Sequence, residues 1–240
     1  MLVKEYQFKV KTYHCAPHGY LNLHSMMQHM QEAASIHAEE MGFGEQWMIE
    51  NSCIWVLADL HAGIDHLPTW KEDVTLYTWP SGNDTLKAYR EFLAQGSDGR
   101  ELFRASSSWM VLSMLNKMPV MMRDVMKNTP YRSKRNFPDM SRLKASDKGI
   151  SIMDIIVPYH SIDSNGHVNN TEYVKWAIDG ARKAEMIIPK IRSFHISFMA
   201  EVFEGQELEL FNTDMEDGKN MISIGRKDDK KNVFLMEIGV

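Results

Sequence analysis

The spacing of apolar residues predicts a strand, a long helix and four further strands in the first half of the chain. Residues 6–13 alternate between apolar and polar side chains, the period-two pattern of a half-buried strand. An amphipathic helix follows, with Asn22 as its N-cap and Gly42 as its C-cap. Its apolar positions recur at three- and four-residue steps: Met26, Met27, Met30, Ala33, Ala34, His37 and Met41. The four β-rich segments are residues 54–64, 73–79, 86–94 and 102–112.

The second half of the chain repeats this order of elements. Residues 150–158 are strand-like, and a polar turn leads into a second helix with Asn169 as its N-cap. Glu172 stands at capping-box spacing from Asn169, and Pro189 is expected to stop the helix. The predicted strands are residues 192–202, 207–212, 221–226 and 233–238. Each half is therefore expected to be an α+β unit, with a helix lying against one face of an antiparallel sheet.

Residue identities between the two halves are few but fall in register. A shift of 147 positions pairs Gly19 with Gly166 and Asn22 with Asn169. In the strands, a shift of 134 positions pairs residues 61 and 195, both histidines. The matching order of helices, caps and strands is a stronger sign of an internal repeat than these identities alone.

Composition places the chain among ordinary globular proteins and excludes several classes. Its 240 residues are 44% hydrophobic and 25% charged, with 27 basic and 32 acidic residues and a net charge of -5. That charge argues against a general binder of nucleic acids or anionic membranes. No apolar run approaches the roughly 18 residues of a membrane span, and the charged start does not resemble a signal peptide. Cys15 and Cys53 form no disulfide framework, so a cytoplasmic location is expected.

Residues 117–148 differ from the rest of the chain in their residue pattern: they contain three prolines and show no sustained hydrophobic periodicity. Nine basic residues against three acidic ones give this stretch a local charge of +6. We interpret residues 118–148 as a connector between an N-terminal domain, residues 1–117, and a C-terminal domain, residues 149–240. Two roles are equally compatible with the connector, which could dock an acidic partner protein or form a solvated flexible linker.

The polar turn before the second helix holds the most informative side chains. Asp163, Asn165 and His167 stand at alternate positions there. N–H groups at a helix N-terminus are unpaired and lie at the positive end of the dipole, so they can stabilise an oxyanion. A carboxylate and an imidazole can position or deprotonate a nucleophile. The corresponding positions of the first half hold no carboxylate: Ala16, His18 and Tyr20. Any catalysis is therefore expected in the second half.

The same turn also fits a plainer interpretation, in which Asp163 and Asn165 form Asx turns and His167 is only a hydrogen-bonded turn residue. A calcium loop is excluded, because Val168 and Val174 stand where its glycine and glutamate are needed. The histidine spacing does not match a zinc site. Motifs of serine hydrolases and of nucleotide-binding proteins are missing from the sequence.

Residues 160–173, HSIDSNGHVNNTEY, resemble the active-site segment of the acyl-acyl carrier protein thioesterases, bacterial branch. Further motifs agree in their order: WVLA at 55–58, TWPSG at 78–82, YREF at 89–92 and SSSWMVL at 106–112. The resemblance covers nearly the whole chain and implies two hotdog folds in tandem, each a long central helix against an antiparallel sheet. The sequence departs from the family at Val202, where plant relatives often have a cysteine, and at Ser113, where an aspartate is expected.

The resemblance implies an enzyme that hydrolyses fatty acyl-acyl carrier protein to free fatty acid and carrier protein, ending chain elongation in fatty acid synthesis. The implied catalytic residues are Asp163, Asn165, His167 and Glu201. Glu201 is expected on the strand after the second helix, and we favour it over Glu204. We expect backbone N–H groups of Gly166 and His167 to hold the oxyanion, while which carboxylate is the general base stays open.

Substrate and partner contacts are assigned more broadly. The acyl chain is expected beside the first helix, with Met26, Met30 and Trp55 as candidate tunnel residues. Candidates for carrier-protein docking are the clustered basic residues Arg132, Lys134 and Arg135. No cofactor, metal or nucleic acid is implied, and a monomer and a homodimer are both compatible with the sequence. Three alternatives stay open: an acyl-CoA thioesterase, a hotdog hydratase and an acyl-binding module without catalysis.

Overall fold

The computed structural model of the protein describes residues 2–127, 129–145, 149–215 and 217–240. The chain divides into two compact units. The first consists of Met1–Leu21 and Gln28–Met140, and the second of Asn22–Met27 and Ser141–Val240. Within the described ranges, no helix is long and apolar enough to cross a membrane.

In the described part of the first unit, five strands form an antiparallel sheet. The strands are β1 (Lys4–Lys9), β2 (Cys53–Ile64), β3 (Asp73–Asn83), β4 (Ala88–Gly96) and β5 (Glu101–Ser113). They lie side by side in the order β1, β3, β4, β5, β2. Two short helices, α2 (Glu45–Glu50) and α3 (Met122–Val125), were not foreseen from the pattern. The first strand is shorter than the predicted 6–13, because the chain turns into a 3-10 helix at Thr12–His14.

The long helix α1 (Leu23–Glu40) confirms both predicted caps. At its start, the N–H of Ser25 donates to Oδ1 of Asn22 at 2.6 Å. At its end, Gly42 has a φ of +81°, and the N–H of Phe43 donates to the carbonyl of Ala38 at 2.8 Å. This is a Schellman turn, in which glycine supplies the positive φ at no steric cost. Most of the predicted apolar face is buried: Met26, Met27, Met30, Ala33, Ala34 and His37.

In the described part of the second unit, five further strands pair in antiparallel fashion. They are β6 (Ile150–Ile156), β7 (Ser193–Phe198), β8 (Glu207–Asp214), β9 (Asn220–Arg226) and β10 (Asn232–Gly239), in the spatial order β7, β10, β9, β8, β6. Helix α4 (Asn170–Lys183) contacts β6, β8, β9 and β10. A Cβ on Gly180 of α4 would lie 3.0 Å from Ile152 and 3.1 Å from Leu210, so glycine allows this close packing.

Only one of the predicted terminal signals of α4 operates as expected. Asn169 is the N-cap, because its Oδ1 accepts the N–H of Thr171 at 2.9 Å. The capping box predicted for Glu172 is wrong, since the Asn169 N–H donates to Ser161 instead. Pro189 does not stop the helix either, as α4 ends earlier and the proline lies in the 3-10 turn Ile188–Lys190.

Each unit has the same kind of turn before its helix, and the two turns are related by the predicted shift of 147 positions. The N–H of Gly19 donates to Ala16 at 2.8 Å, and that of Gly166 donates to Asp163 at 3.0 Å. Both glycines have a positive φ, +87° and +81°, which a side chain would disfavour.

The residue after each turn is anchored in the same way. The N–H of Leu21 donates to the carbonyl of Pro68 at 2.8 Å, and that of Val168 donates to Val202 at 2.9 Å. These partners are related by the shift of 134 positions found in the strands. The internal repeat therefore extends to individual backbone hydrogen bonds.

Part of the predicted connector is fastened to the first sheet, and we call residues 132–137 the strap. Its anchor is Glu91 on β4, whose fully buried carboxylate accepts hydrogen bonds from the hydroxyls of Ser81 and Ser106 and, at 2.8 Å, from the N–H of Asn136. The side-chain amide of Asn136 donates to the carbonyls of Phe92 and Ala105, each at 2.9 Å.

Two further contacts complete the strap. The indole N–H of Trp79 donates to the carbonyl of Lys134 at 3.0 Å, and the Phe137 ring stacks on His61 at 4.0 Å between centroids. A flexible linker is therefore the wrong description of this stretch. Residues 128 and 146–148 of the connector, which include Lys148, lie outside the described residues.

Candidate active site

The turn between β6 and α4 gathers three of the four predicted catalytic residues. The N–H of Asp163 donates to the carbonyl of His167 at 2.9 Å, which closes the turn. Within it, the N–H of Asn165 donates to Oδ1 of Asp163 at 2.8 Å, the Asx turn of the plainer interpretation. The side chain of Asn165 is exposed, and those of Asp163 and His167 are partly buried. Turn formation thus uses one oxygen of the Asp163 carboxylate and leaves the imidazole for other contacts.

The two predicted oxyanion donors differ in their availability. The N–H of Gly166 is already taken up by the carbonyl of Asp163, against the prediction that it faces an oxyanion. For the N–H of His167, the described part of the chain contains no hydrogen-bond acceptor. Of the two, only the His167 donor can reach a ligand without opening the turn.

Glu201 lies in a loop, which corrects the predicted strand 192–202. Strand β7 ends at Phe198, where its pairing with β10 stops. The loop is nevertheless held at both ends, because the N–H of Met199 donates to Val233 at 2.8 Å and the carbonyl of Val202 accepts from Val168. The hydrogen bonds with Val233 of β10 and with Val168, just before α4, thus hold the loop on both sides of Glu201, where strand pairing has ended.

The loop brings Glu201 to the turn. Oε2 of Glu201 lies 3.5 Å from Nε2 of His167, with side-chain exposures of 37% and 20%. The His167 ring also contacts Phe203, at 5.1 Å between centroids. A carboxylate and an imidazole at this distance, both open to solvent, can hold a water molecule and share its proton.

Tyr173 of α4 was not predicted as a site residue; it is buried, and charges of the candidate site act on the pKa of its hydroxyl. Burial raises the pKa of its hydroxyl, the nearby Arg226 opposes that rise, and the charges of Glu201 and Asp163 add to it. The ring packs in an aromatic group, stacked at 5.4 Å on Phe234. The hydroxyl of Tyr173 is thus buried where the charges of Arg226, Glu201 and Asp163 all act on its pKa.

Glu172 supports the turn from the first turn of α4. One carboxylate oxygen accepts the hydroxyl of Ser161 at 3.0 Å, and the other lies 3.2 Å from Nε2 of His24. The hydrogen bond with His24 is the main reason that the pKa of Glu172 falls to about 2, and Lys175 lowers it further. The local spacing of Glu172 did not reveal these contacts, because His24 is distant in sequence.

The predicted substrate-binding residues are placed as follows. Met26 and Met30 are buried on α1. Trp55 on β2 is half-buried, and its indole N–H donates to the carbonyl of Phe43 at 3.1 Å. Its ring lies 6.2 Å from that of Trp47 on α2, so Trp55 belongs to an aromatic cluster of the first unit.

The three basic residues predicted to dock a partner are not equivalent. Arg132 is exposed and lies over the ring of Trp79 at 5.0 Å. Lys134 is also exposed. Arg135 is instead half-buried, 3.9 Å from the Tyr89 ring centroid and 3.9 Å from the Glu91 carboxylate. Arg135 therefore serves the strap, and the exposed cationic side chains of this set are those of Arg132 and Lys134.

Metal-ligating side chains do not cluster in the described part of the chain, where no group of three or more histidine, cysteine or acidic residues could hold an ion.

The two units, each a helix against an antiparallel sheet, are hotdog folds. Two family models match the sequence: the acyl-ACP thioesterase N-terminal domain over residues 2–129 and the acyl-ACP thioesterase C-terminal domain over residues 144–233. The chain therefore belongs to the acyl-ACP thioesterase family.

Curated relatives include plant proteins. The chain is 27% identical over 215 residues to a chloroplastic palmitoyl-acyl carrier protein thioesterase of Arabidopsis thaliana, covering 83% of this chain and 52% of the relative. It is 24% identical over 230 residues to the chloroplastic dodecanoyl-[acyl-carrier-protein] hydrolase of Umbellularia californica, covering 88% and 59%. The chain thus spans little more than half the length of these relatives.

Solved structures match over almost the full length of both chains. An acyl-ACP thioesterase from Bacteroides thetaiotaomicron has a TM-score of 0.84 at 24% identity, covering 98% of this chain and 96% of its own. The 12:0-ACP thioesterase from Umbellularia californica has a TM-score of 0.85 at 21% identity, covering 99% and 96%. At these identities the likeness establishes the fold.

Proposed function

We propose that this protein hydrolyses the thioester of fatty acyl-acyl carrier protein, releasing free fatty acid and carrier protein and so ending chain elongation. Membership of the family supports the reaction class. The observation that carries the proposal in this chain is the pair His167 and Glu201, 3.5 Å apart beside the turn that holds Asp163. The first unit has no carboxylate in its equivalent turn, so we assign catalysis to residues 149–240.

A thioester needs little activation, because its carbonyl carbon is electrophilic and a thiolate leaves readily. In the proposed step, a water held between Glu201, His167 and Asp163 attacks the carbonyl carbon and gives one proton to this group of side chains. The N–H of His167 stabilises the tetrahedral oxyanion. The C–S bond then breaks, and the proton passes to the leaving sulfur. Products are a carboxylic acid and a free thiol, with no oxidant or reductant required.

Asp163 and Asn165 have supporting roles in this scheme. The N–H of Asn165 fixes one oxygen of Asp163, which leaves the second oxygen to accept a hydrogen bond from the water. We assign the exposed amide of Asn165 to orienting the water or the thioester. Glu201 and Asp163 are the two candidates for the general base in this scheme.

Substrate binding is proposed for the first unit and the strap. Acyl-chain contacts are assigned to residues 1–117, with Met26, Met30 and Trp55 as candidates, because flexible methionines adapt to a chain-shaped ligand. Docking of the acidic carrier protein is assigned to the exposed Arg132 and Lys134 within connector 118–148. A cytoplasmic location is part of the proposal and rests on the sequence.

The test is thiol release from palmitoyl-, myristoyl- and octanoyl-carrier protein, each compared with its CoA ester, for the wild type and Asp163→Ala. We expect rapid release from the carrier-protein esters that falls by two or more orders of magnitude in the variant. A preference for CoA esters would retain the chemistry and remove the assigned partner. If a folded wild type bound acyl chains without releasing thiol, the protein would be a binding module and the proposed activity would be wrong.

A further inference from the structure

Arg226 is the last residue of β9 and reaches from there to the loop that carries Glu201. Its Nη1 donates to the backbone carbonyl of Glu201 at 3.3 Å. The side chain is only 17% exposed, although it stands next to a hairpin tip. A hydrogen bond from a charged donor is stronger than one between neutral groups, so this contact restrains the loop at the residue proposed for catalysis.

The guanidinium is itself held in one orientation by Asp229. Nε of Arg226 donates to Oδ1 of Asp229 at 3.2 Å, and Nη2 donates to Oδ2 at 2.7 Å. Because the guanidinium is planar, this two-point contact along one edge determines where Nη1 points. The same Oδ1 accepts the N–H of Lys231 at 3.1 Å, so the carboxylate is tied to the hairpin backbone.

The charge of Arg226 also acts on the hydroxyl of Tyr173. The pKa of Tyr173 is raised by burial, and Arg226 is the strongest of the charged groups acting on it, lowering it where Glu201 and Asp163 raise it. The Arg226 guanidinium therefore acts on the same buried hydroxyl as the two candidate catalytic carboxylates. Three of its N–H donors are directed to Asp229 and to a backbone carbonyl, so we treat Arg226 as a positioning residue and not as a reacting group.

We propose that Arg226 and Asp229 form a positioning clamp that keeps the Glu201 carboxylate at the distance from His167 that thioester hydrolysis needs. The inference rests on the proposed function, since it concerns the same site. The competing account is an ion pair that only stabilises the hairpin tip and leaves the Glu201 loop unaffected. The two accounts differ in whether the loop at 199–203 responds when the clamp is removed.

The experiment compares Arg226→Met with Lys227→Met. Methionine keeps much of the aliphatic stem but cannot donate to Glu201. Lys227 is the matched control, because it is adjacent and makes its own ion pair, 2.8 Å from Asp154. We expect kcat for carrier-protein esters to fall about tenfold or more in Arg226→Met, with KM changed less than about twofold, because a misplaced catalytic group lowers turnover without weakening binding. Lys227→Met should keep the wild-type kcat.

Amide hydrogen exchange gives a readout that does not depend on activity. Exchange at residues 199–203 is expected to accelerate in Arg226→Met and to stay at the wild-type rate in Lys227→Met. Asp229→Asn tests the second half of the clamp and should show the same two effects in weaker form. It also serves if Arg226→Met does not fold.

The outcomes separate the clamp from the function. Wild-type kcat and wild-type exchange in a folded Arg226→Met, or in Asp229→Asn where the first variant fails to fold, would overturn the clamp while thioester hydrolysis stood. A wild type without thioesterase activity would overturn the function, and the exchange measurement would still decide whether Arg226 restrains the loop. A lower kcat/KM that comes only from a higher KM, with kcat at the wild-type value, would also contradict a positioning role.

Discussion

The Nε2 atom of His167 lies 3.5 Å from the Oε2 atom of Glu201, although one residue belongs to the turn before α4 and the other to the loop after β7. Backbone hydrogen bonds hold both segments, including the one from Val168 to Val202 that has a counterpart between Leu21 and Pro68 in the first unit. The repeat therefore provides the same backbone hydrogen bonds in both units. In the second unit, these bonds hold the segments that carry the glutamate and the histidine of this pair.

Glu201→Gln is expected to lower kcat about 10²- to 10³-fold with little change in stability, because the amide keeps the size of the side chain and loses its ability to accept a proton. Glu204→Gln, two positions beyond Val202 in the same loop, is the control and should retain wild-type kcat. Steady-state kinetics with an acyl-carrier protein ester checks both. Equal losses in the two variants would mean that the loop matters and that the assigned carboxylate does not.

Glu172→Gln is expected to destabilise the protein in a pH-dependent way. The pKa of Glu172 is lowered from 4.5 to about 2, first by the hydrogen bond with His24. A lowered pKa in the folded state means that the ionised carboxylate stabilises the protein above pH 4.5 and that this stabilisation is lost as the pH falls towards 2. We expect a loss on the order of 2 kcal/mol at pH 7 that shrinks by pH 3, measured by urea unfolding. A difference that stayed constant with pH would contradict the charged interaction.

Glu91→Ala is expected to release the strap from the first sheet. The substitution removes the acceptor for two buried hydroxyls and for the N–H of Asn136. Leaving a buried donor unpaired costs about 1–3 kcal/mol, so for these three donors we expect a total loss of about 3 kcal/mol or more. Denaturant unfolding measures this, and limited proteolysis should show new cleavage within 132–137. The surface substitution Glu101→Ala is the control and should change stability by less than about 1 kcal/mol.

The double variant Arg132→Ala and Lys134→Ala is expected to raise KM for carrier-protein esters several-fold at low salt and to leave KM for the matching CoA esters nearly unchanged. Both side chains are exposed, so folding should be preserved. The effect should fade as salt is added, because screening weakens contacts between exposed charges. Steady-state kinetics at two ionic strengths tests this docking role. A KM for carrier-protein esters that does not change with salt in the wild type would contradict docking at Arg132 and Lys134.

The sequence predicted correctly those helix ends whose contacts lie between residues close together in the chain. The cap at Asn22, the Schellman glycine at Gly42 and the cap at Asn169 involve atoms within a few residues of each other, and the structure confirms all three. Glu172 shows where such reasoning ends. Its spacing predicts a capping box, but hydrogen bonds with Ser161 and His24 hold the carboxylate elsewhere.

By itself, the sequence determined the repeated order of helix and strands and the family, because periodicity, caps and motifs are written in consecutive residues. Tertiary structure decided which groups meet: Glu201 with His167, Glu91 with Asn136, and Arg226 with the Glu201 carbonyl. Each of these pairs joins elements that are distant along the chain. Their distances depend on how strands are paired and where loops are anchored, which no local pattern of residues encodes.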